Sequence, residues 1–279
     1  PGNVLKDIID SKAFSVVRLS KIYRQAESSH IVLNAHKINA GELITLDNKN
    51  KDFFFFEKKD VRSVMGALVY LVKTRLPEYI GASPFEIQVL TPMRKGELGV
   101  EHLNEVLQYY LNPASESKKE KEGRTGVFRE GDKVMQVKNN YKLEWKITNA
   151  KGFSIEEGLG VFNGDMGIIK QINTYSERIT VVFDENREAE YPFSSLDELE
   201  LAYAITIHKS QGSEYPAVVL PLLSGPPILC NRNLLYTAIT RAQKCVAIAG
   251  RQSMVEQMIH NETEQKRYSG LNDCLKEGL

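Results

Sequence analysis

The sequence predicts an α/β fold in which a parallel sheet is interrupted by a small inserted β-barrel. Apolar strand-like runs alternate with helical patterns at both ends of the chain, which is typical of a parallel α/β sheet. From residue 127 to about 195, short strand-like runs alternate with Gly, Asn and Asp turns, which is typical of a small antiparallel barrel. We therefore expect α/β segments at 1–126 and 200–279, with the barrel and its connections at 127–199.

The first α/β segment alternates strand and helix patterns. Its strand candidates are short apolar runs at 14–19, 53–56 and 85–91. Its helix candidates have apolar residues at helical spacing, at about 27–40, 60–76 and 101–111. Gly41 and Pro77 are expected to end the first two helices, because glycine favours a C-terminal cap and proline cannot continue the hydrogen-bond ladder.

The run Phe53–Phe56 admits two interpretations. Exposed phenylalanines would form a platform on which nucleic-acid bases stack. Buried ones would form a strand of the core. The density of apolar residues, with charges on both sides, favours the core strand.

After the first α/β segment the hydrophobic pattern changes, and the remaining elements are predicted from the new pattern. Residues 112–126, rich in Ser, Lys, Glu and Gly, predict a mobile linker because such a stretch buries little apolar surface. Barrel strands are expected at 133–137, 166–172 and 178–183. The second α/β segment should then contain a strand at 201–207, a tight turn at 209–212, a strand at 216–222, a helix near 231–242, a strand at 245–249 and C-terminal helices.

Composition limits the classes of function. The 279 residues carry 36 basic and 36 acidic side chains, so only a local basic patch or groove would attract phosphates. The chain lacks a run of about 18 apolar residues, so we expect no membrane span. Three cysteines without CxxC spacing predict neither zinc nor disulfides, and favour a reducing, cytoplasmic setting. The histidines outside the motif described next show no ligand spacing: His30, His36, His102 and His260.

The most specific stretch is AITIHKSQGSE at 204–214. A strand runs into a turn that offers backbone N–H groups, hydroxyls and a cation beside Gly212, where a missing side chain permits close approach of an anion. An ordinary polar turn with glycine at positive φ would have the same sequence. Taken alone, the stretch supports both interpretations equally.

Further motifs in a fixed order resolve this ambiguity. LYTAITRA at 235–242, together with the preceding stretch, resembles motifs V and VI of superfamily 1 helicases, in the spelling of the RecD-like branch. IYRQA at 22–26 resembles motif IV, and TPMRKG at 91–96 resembles the signature that follows it. GDKVMQ at 131–136 and VFNGD at 161–165 resemble elements of the SH3-like insert of that branch.

The resemblance implies a RecA-like, P-loop NTPase type sheet with an SH3-like barrel, and it implies nucleotide-contacting residues. Arg24 and Arg241 would be arginine fingers that reach the γ-phosphate of ATP, which would arrive with Mg²⁺. Tyr23 would stack near the adenine, Gly212 would approach a phosphate and Glu214 would contact the ribose. Judged singly, either arginine is more simply explained as a helix cap or a solvated surface residue.

The same resemblance implies a track for single-stranded DNA. Thr206, His208 and Lys209 would lie toward the strand and link it to the nucleotide through one turn. Arg94 and Lys95 would contact backbone phosphates. The branch implies movement with 5′ to 3′ polarity.

The sequence has no Gly-x-x-x-x-Gly-Lys-Ser/Thr motif, the loop that cradles nucleotide phosphates. Asp184-Glu185 and Asp197-Glu198 imitate the acidic pair that binds Mg²⁺, but they fall in the barrel region and are interpreted as decoys. The resemblance places the true motifs in a first motor domain that would precede this chain and act as its partner. We therefore expect the isolated chain to hydrolyse no ATP. The alternatives are a non-catalytic single-stranded DNA-binding module and a protein-interaction module.

Overall fold

The computed structural model describes residues 4–17, 29–123, 126–149, 153–263 and 270–277. The helices in these ranges are α1 (Val4–Ser11), α2 (His30–Ala40), α3 (Val61–Tyr70), α4 (Leu76–Ile80), α5 (Val100–Leu111), α6 (Arg232–Ile239), α7 (Gln252–His260) and α8 (Leu271–Glu277). The strands are β1 (Phe53–Glu57), β2 (Ile87–Thr91), β3 (Glu120–Glu122), β4 (Val127–Arg129), β5 (Lys133–Gln136), β6 (Asn140–Thr148), β7 (Ser154–Val161), β8 (Met166–Asn173), β9 (Arg178–Phe183), β10 (Glu188–Pro192), β11 (Leu199–Leu201), β12 (Ala204–Thr206), β13 (Tyr215–Leu222) and β14 (Ala242–Gly250).

Five strands form a parallel sheet in the order β1-β14-β13-β2-β12. Its central strands are buried on both faces, because helices cover both sides of the sheet. On one face, Val219 and Ala247 pack in the same cluster as Leu68 of α3. On the other face, Val218 and Ile248 pack with α2, α6 and α7. The predicted α/β architecture is confirmed.

The strand β1 confirms the core interpretation of the phenylalanine run. Phe53 and Phe55 are buried, while Phe54 packs edge-on against Tyr79 with ring centroids 5.6 Å apart. Gly41 ends α2 as expected, with a left-handed φ of 78° and its N–H donated to Ile38 O.

Pro77 does not end the helix that was expected over 60–76. A one-turn π segment, Leu71–Arg75, follows α3 and resets the hydrogen-bond ladder, with Leu76 N donating to Leu71 O. Pro77 then falls in the first turn of α4, where a missing N–H costs little. The helical path continues to Gly81, which has a φ of 65°.

The expected strand at 14–19 is wrong over its described part. Residues 14–17 form no strand, and Phe14 and Val17 are exposed. These side chains therefore lie outside the core of the sheet.

The inserted region forms a seven-stranded antiparallel sheet in the order β11-β5-β8-β9-β10-β6-β7. The sequence predicted β5, β8 and β9 but not the long hairpin β6–β7. The expected single strand at 201–207 is two strands: β11 pairs with β5 in the barrel, and β12 pairs with β2 in the parallel sheet.

The expected mobile linker at 112–126 is partly ordered. Its strand β3 pairs with β4, which directly follows the stretch, and Arg129 of β4 donates to the Glu120 carboxylate and to Asn112 O. Phe128 of β4 is buried in the core as well, so charge pairing and apolar packing both hold this hairpin.

A buried polar cluster joins the barrel to α5. The Asp132 carboxylate accepts from Gln108, Asn112 and Arg129 N at 2.6 Å each, and from the Tyr203 hydroxyl at 2.9 Å. Burial raises the pKa of Asp132, although the hydrogen bonds oppose that rise. Four donors satisfy this carboxylate, so the junction is held by specific polar contacts.

Candidate functional site

The candidate residues fall at the two opposite edges of the parallel sheet. Thr206 ends β12, so the turn that follows begins at the edge where the strands finish. Glu214 directly precedes β13 and Arg241 directly precedes β14, so both lie at the edge where strands begin. The segment 207–214 therefore connects the two edges.

At the starting edge, Arg241 contacts the end of that segment. Its guanidinium donates to Ser213 O at 3.2 Å, to Thr237 O at 3.3 Å and to the Thr240 hydroxyl at 3.3 Å. The backbone is joined as well, since Tyr215 N donates to Arg241 O at 2.9 Å. Arg241 is half-buried and lies outside both core clusters.

Gly212 and Glu214 are the chain neighbours of Ser213, which Arg241 contacts. Gly212 is exposed, has a φ of 93°, and has no atom within 4 Å of where a side chain would begin. That open backbone suits the close approach of an anion. Glu214 is exposed and accepts from the Gln243 amide at 3.3 Å.

At the finishing edge, Thr206 shapes the turn. Its hydroxyl accepts from Lys209 N at 3.3 Å and caps a short 3₁₀ helix, Ile207–Ser210. Ile207 and Ser210 are buried, which turns His208 toward solvent and leaves Lys209 partly exposed. The cap thus determines which side chains of the turn are accessible.

The loop after β2 lies at the same edge, because Thr91 and Thr206 are register partners. Arg94 and Lys95 are exposed on it. The loop folds tightly, since Thr91 Oγ1 donates to Leu98 O at 2.7 Å and a side chain at Gly99 would lie 2.5 Å from the Lys95 carbonyl carbon.

Arg94 and Lys209 meet at a carboxylate that the sequence did not indicate. Glu200 Oε1 accepts from Arg94 Nη2 at 2.7 Å, and Oε2 accepts from Lys209 Nζ at 2.9 Å. Burial alone would raise the pKa of Glu200, but the bonds and charges of the two cations outweigh it and hold that pKa below its usual range. The Glu200 hydrogen bond also raises the pKa of Arg94. The Arg94–Glu200 pair spans 106 residues, so no local pattern reveals it.

Two candidates, Tyr23 and Arg24, lie outside the described residues. The acidic decoys lie in the barrel region: Asp184-Glu185 in the connection from β9 to β10, and Asp197-Glu198 in a 3₁₀ segment before β11. Over the described ranges, no group of three or more His, Cys, Asp or Glu side chains is arranged to hold a metal ion.

Comparisons with known proteins match these regions. The model for the ATP-dependent RecD-like DNA helicase SH3 domain matches residues 103–183, and that for the UvrD-like helicase C-terminal domain matches 201–249. An ATP-dependent RecD2 DNA helicase of Deinococcus radiodurans is 33% identical over 240 residues, covering 86% of this chain and 29% of that protein. Over most of its length this chain is therefore similar to RecD-like helicases, and it contains regions that match their SH3 domain and a UvrD-like helicase C-terminal domain.

One further relative and one solved structure match a similar share of this chain. The RecBCD enzyme subunit RecD of Mycobacterium tuberculosis is 28% identical over 277 residues, covering 92% of this chain and 43% of that protein. A crystal structure of Pif1 helicase from Bacteroides in complex with ADP-AlF3 and ssDNA has a TM-score of 0.49 at 20% identity, covering 88% of this chain and 54% of that one. The chain thus spans less than half the length of these two curated relatives.

The matched regions divide the candidate residues of this chain. The UvrD-like C-terminal match contains Lys209, Glu214 and Arg241, whereas Glu200 lies just before it. Arg94 and Lys95 precede both matches. Among the described residues, no helix is both long and apolar enough to cross a bilayer.

Proposed function

We propose that this chain is the second motor domain of an ATP-dependent DNA helicase that moves 5′ to 3′ along a single strand. The observation that carries the proposal is the contact between Arg241 and Ser213. It joins the two most specific sequence stretches at one edge of the parallel sheet. The turn that begins with Thr206 continues from there to the opposite edge.

On the nucleotide side, Arg241 would act with Arg24 as an arginine finger. A guanidinium suits this role because its fixed fork of donors neutralises charge that spreads over phosphoryl oxygens. Gly212 fits an adjoining phosphate because its backbone is open, and Glu214 and Tyr23 would contact the ribose and the adenine. Mg²⁺, which would arrive with ATP, neutralises phosphate charge when bound. The first motor domain would hold most of the nucleotide.

On the DNA side, Arg94, Lys95, His208 and Lys209 would face the strand, with Thr206 shaping the turn. All of these lie at the finishing edge of the sheet. The partners of Thr206 and Ala217 on β2 are Thr91 and Ile87, which lie four residue steps apart, or about 13 Å along the strands at 3.3 Å per residue. One segment, 207–214, would therefore transmit nucleotide-driven shifts to the DNA. The three free thiols, two of them buried, fit our proposal that the protein works in the cytoplasm.

Reconstitution tests this proposal. The chain alone should hydrolyse no ATP, since its arginines lack a phosphate cradle. Adding a separately prepared first motor domain should restore ATP hydrolysis that depends on single-stranded DNA, measured as phosphate release with and without the strand. Robust DNA-stimulated hydrolysis by the chain alone would refute its role as a half-motor.

Two other results would favour the alternatives. Binding of single-stranded DNA without any restored hydrolysis, unaffected by Arg94→Ala or Lys209→Ala, would indicate a DNA-binding module centred on the barrel. Neither DNA binding nor restored hydrolysis would indicate a protein-interaction module. A first motor domain with an inactivated phosphate loop controls for contaminating ATPase.

A further inference from the structure

Two of the side chains proposed to contact DNA, Arg94 and Lys209, are already paired with a carboxylate in this structure. Arg94 and Lys209 both donate to Glu200, whose side chain is 18% exposed, and Arg94 also lies 3.4 Å from the Glu101 carboxylate. The exposed fractions of the Arg94 and Lys209 side chains are 45% and 30%. A DNA phosphate can reach these cations from solvent, but it must compete with a carboxylate.

The competing carboxylate belongs to a different sheet from the cations. Glu200 is the central residue of β11 and pairs with Met135 of β5 in the barrel. Arg94 and Lys209 lie on connections of the parallel sheet, after β2 and β12. The barrel therefore supplies the carboxylate shared by both cations, whereas Glu101, which lies near Arg94 alone, belongs to α5.

We propose that Glu200 is a stand-in for a DNA phosphate. When the strand is absent, Glu200 pairs with Arg94 and Lys209. When a phosphate of the strand binds these cations, it displaces Glu200 from them. The inference rests on the proposed function, since it takes the two cations as DNA contacts. Glu200 is then a positioning residue that sets how tightly the strand is held, without touching the DNA.

The physical reason is the cost of leaving a half-buried charge unpaired. A cation that loses its phosphate on strand release would lose a charge-assisted hydrogen bond and be only partly rehydrated. Glu200 replaces that bond at 2.7 to 2.9 Å, so release leaves both cations paired. The carboxylate thus weakens DNA binding and lowers the cost of releasing the strand, which suits a motor that must bind and release in every step.

The decisive experiment measures binding of a labelled oligothymidine strand by the chain and by Glu200→Gln across a range of salt concentrations. Glutamine keeps the size of the side chain but removes its charge. We expect Glu200→Gln to bind about fivefold more tightly or better at low salt. The plot of log affinity against log salt should steepen by about 0.7 for each newly neutralised phosphate.

Three controls isolate the mechanism. Glu116→Gln makes the same charge change at an exposed residue beyond the far end of α5 and should leave both affinity and slope unchanged. In an Arg94→Ala, Lys209→Ala background, Glu200→Gln should have no effect, because no masked cation remains. Glu200→Ala, which removes the carboxylate without offering an amide, must shift affinity in the same direction, and thermal melting verifies that each variant is folded.

The possible results distinguish the stand-in role of Glu200 from the proposed DNA contacts of Arg94 and Lys209. If the chain binds DNA but Glu200→Gln and Glu200→Ala leave affinity and salt slope unchanged, or weaken binding while folded, the stand-in role is refuted and the DNA contacts remain. If neither the chain nor the variants bind the strand, the proposed DNA-contact role is refuted, and the stand-in role with it.

Discussion

The two sheets of this molecule place their polar residues differently. In the parallel sheet, β13 and β14 are buried almost throughout, so the candidate residues lie on the connections at the sheet edges. In the barrel, β6 and β7 expose most of their length, and Tyr141, Ile155 and Leu159 stand on the strands themselves. A sheet covered on both faces must place its chemistry at strand ends, whereas a half-covered sheet can use a face.

This comparison predicts that a cation on a connection of the parallel sheet matters more to turnover than one on a barrel strand. Arg241→Ala in the complete helicase should reduce the rate of ATP hydrolysis at least about a hundredfold, because a finger stabilises charge on the transferring phosphoryl group. Arg178→Ala removes a half-exposed barrel cation that pairs with Glu190, and it should leave turnover nearly unchanged. Steady-state phosphate release at saturating DNA measures both.

DNA affinity, measured in parallel, separates function from fold. Arg241→Ala should bind the strand almost as tightly as the unaltered protein, since Arg241 lies at the opposite edge of the sheet from the proposed DNA contacts. An equal loss of DNA binding and turnover would mean that Arg241 mainly supports the turn through its bonds to Ser213 and Thr237.

The same comparison predicts unequal dependence on apolar side chains. Ile248 of β14 is fully buried, and Ile248→Ala should lower the free energy of unfolding by about 2 to 5 kcal/mol. Ile155 of β7 is 66% exposed, and Ile155→Ala should change it by less than about 0.5 kcal/mol. Urea denaturation measures the free energy of unfolding of both variants, which are the same Ile→Ala change. Comparable losses in the free energy of unfolding would show that another surface covers the exposed face of the hairpin and stabilises it.

A pH-dependent effect is expected where the two regions meet. Lys133 is buried and donates to Phe85 O at 2.7 Å and to Gln88 Oε1 at 2.8 Å; burial lowers its pKa to about 7. Between pH 7 and the ordinary lysine range, the unfolded chain holds a proton that the folded chain has lost. The free energy of unfolding should therefore rise with pH across that window, relative to Lys133→Met.

Urea denaturation at several pH values between 7 and 10 tests this. The difference between the unaltered chain and Lys133→Met should move in favour of the unaltered chain as pH increases. Lys142→Met, on exposed β6, serves as the reference for the loss of one lysine. Parallel pH profiles for all three proteins would show that Lys133 stays protonated in the folded state.

Sequence reasoning succeeded where a periodic pattern decides the structure. The apolar runs of β1, β13 and β14 and the glycine cap of α2 were predicted because burial and backbone geometry act locally there. It failed at Pro77, since a π segment that resets a helix has no sequence signal in the apolar spacing. The hairpin strand β6 did carry a signal: Lys142 to Ile147 alternate charged and apolar residues.

The candidate site was predictable in part. The local turn from Thr206 to Glu214 and its proximity to Arg241 follow motifs that lie near each other in sequence. Glu200 was missed because its partner Arg94 lies 106 residues away, and only the fold brings them together. The roles assigned to all the candidate residues stay predictions, and Arg24 and Tyr23 also lie outside the described residues.

The pairing of β5 with β11 has a consequence for how this architecture tolerates change. The chain enters and leaves the barrel side by side, with Val134 opposite Leu201 and Ala202 N donating to Lys133 O at 2.9 Å. The pairing of β5 with β11 fixes the distance between the points where the chain enters and leaves the barrel. Extra residues at the exposed turn around Tyr175 therefore add only the entropy of loop closure, about 0.6 kcal/mol for each doubling of a flexible loop. The insert can therefore take extra residues without moving Lys209 or Arg241.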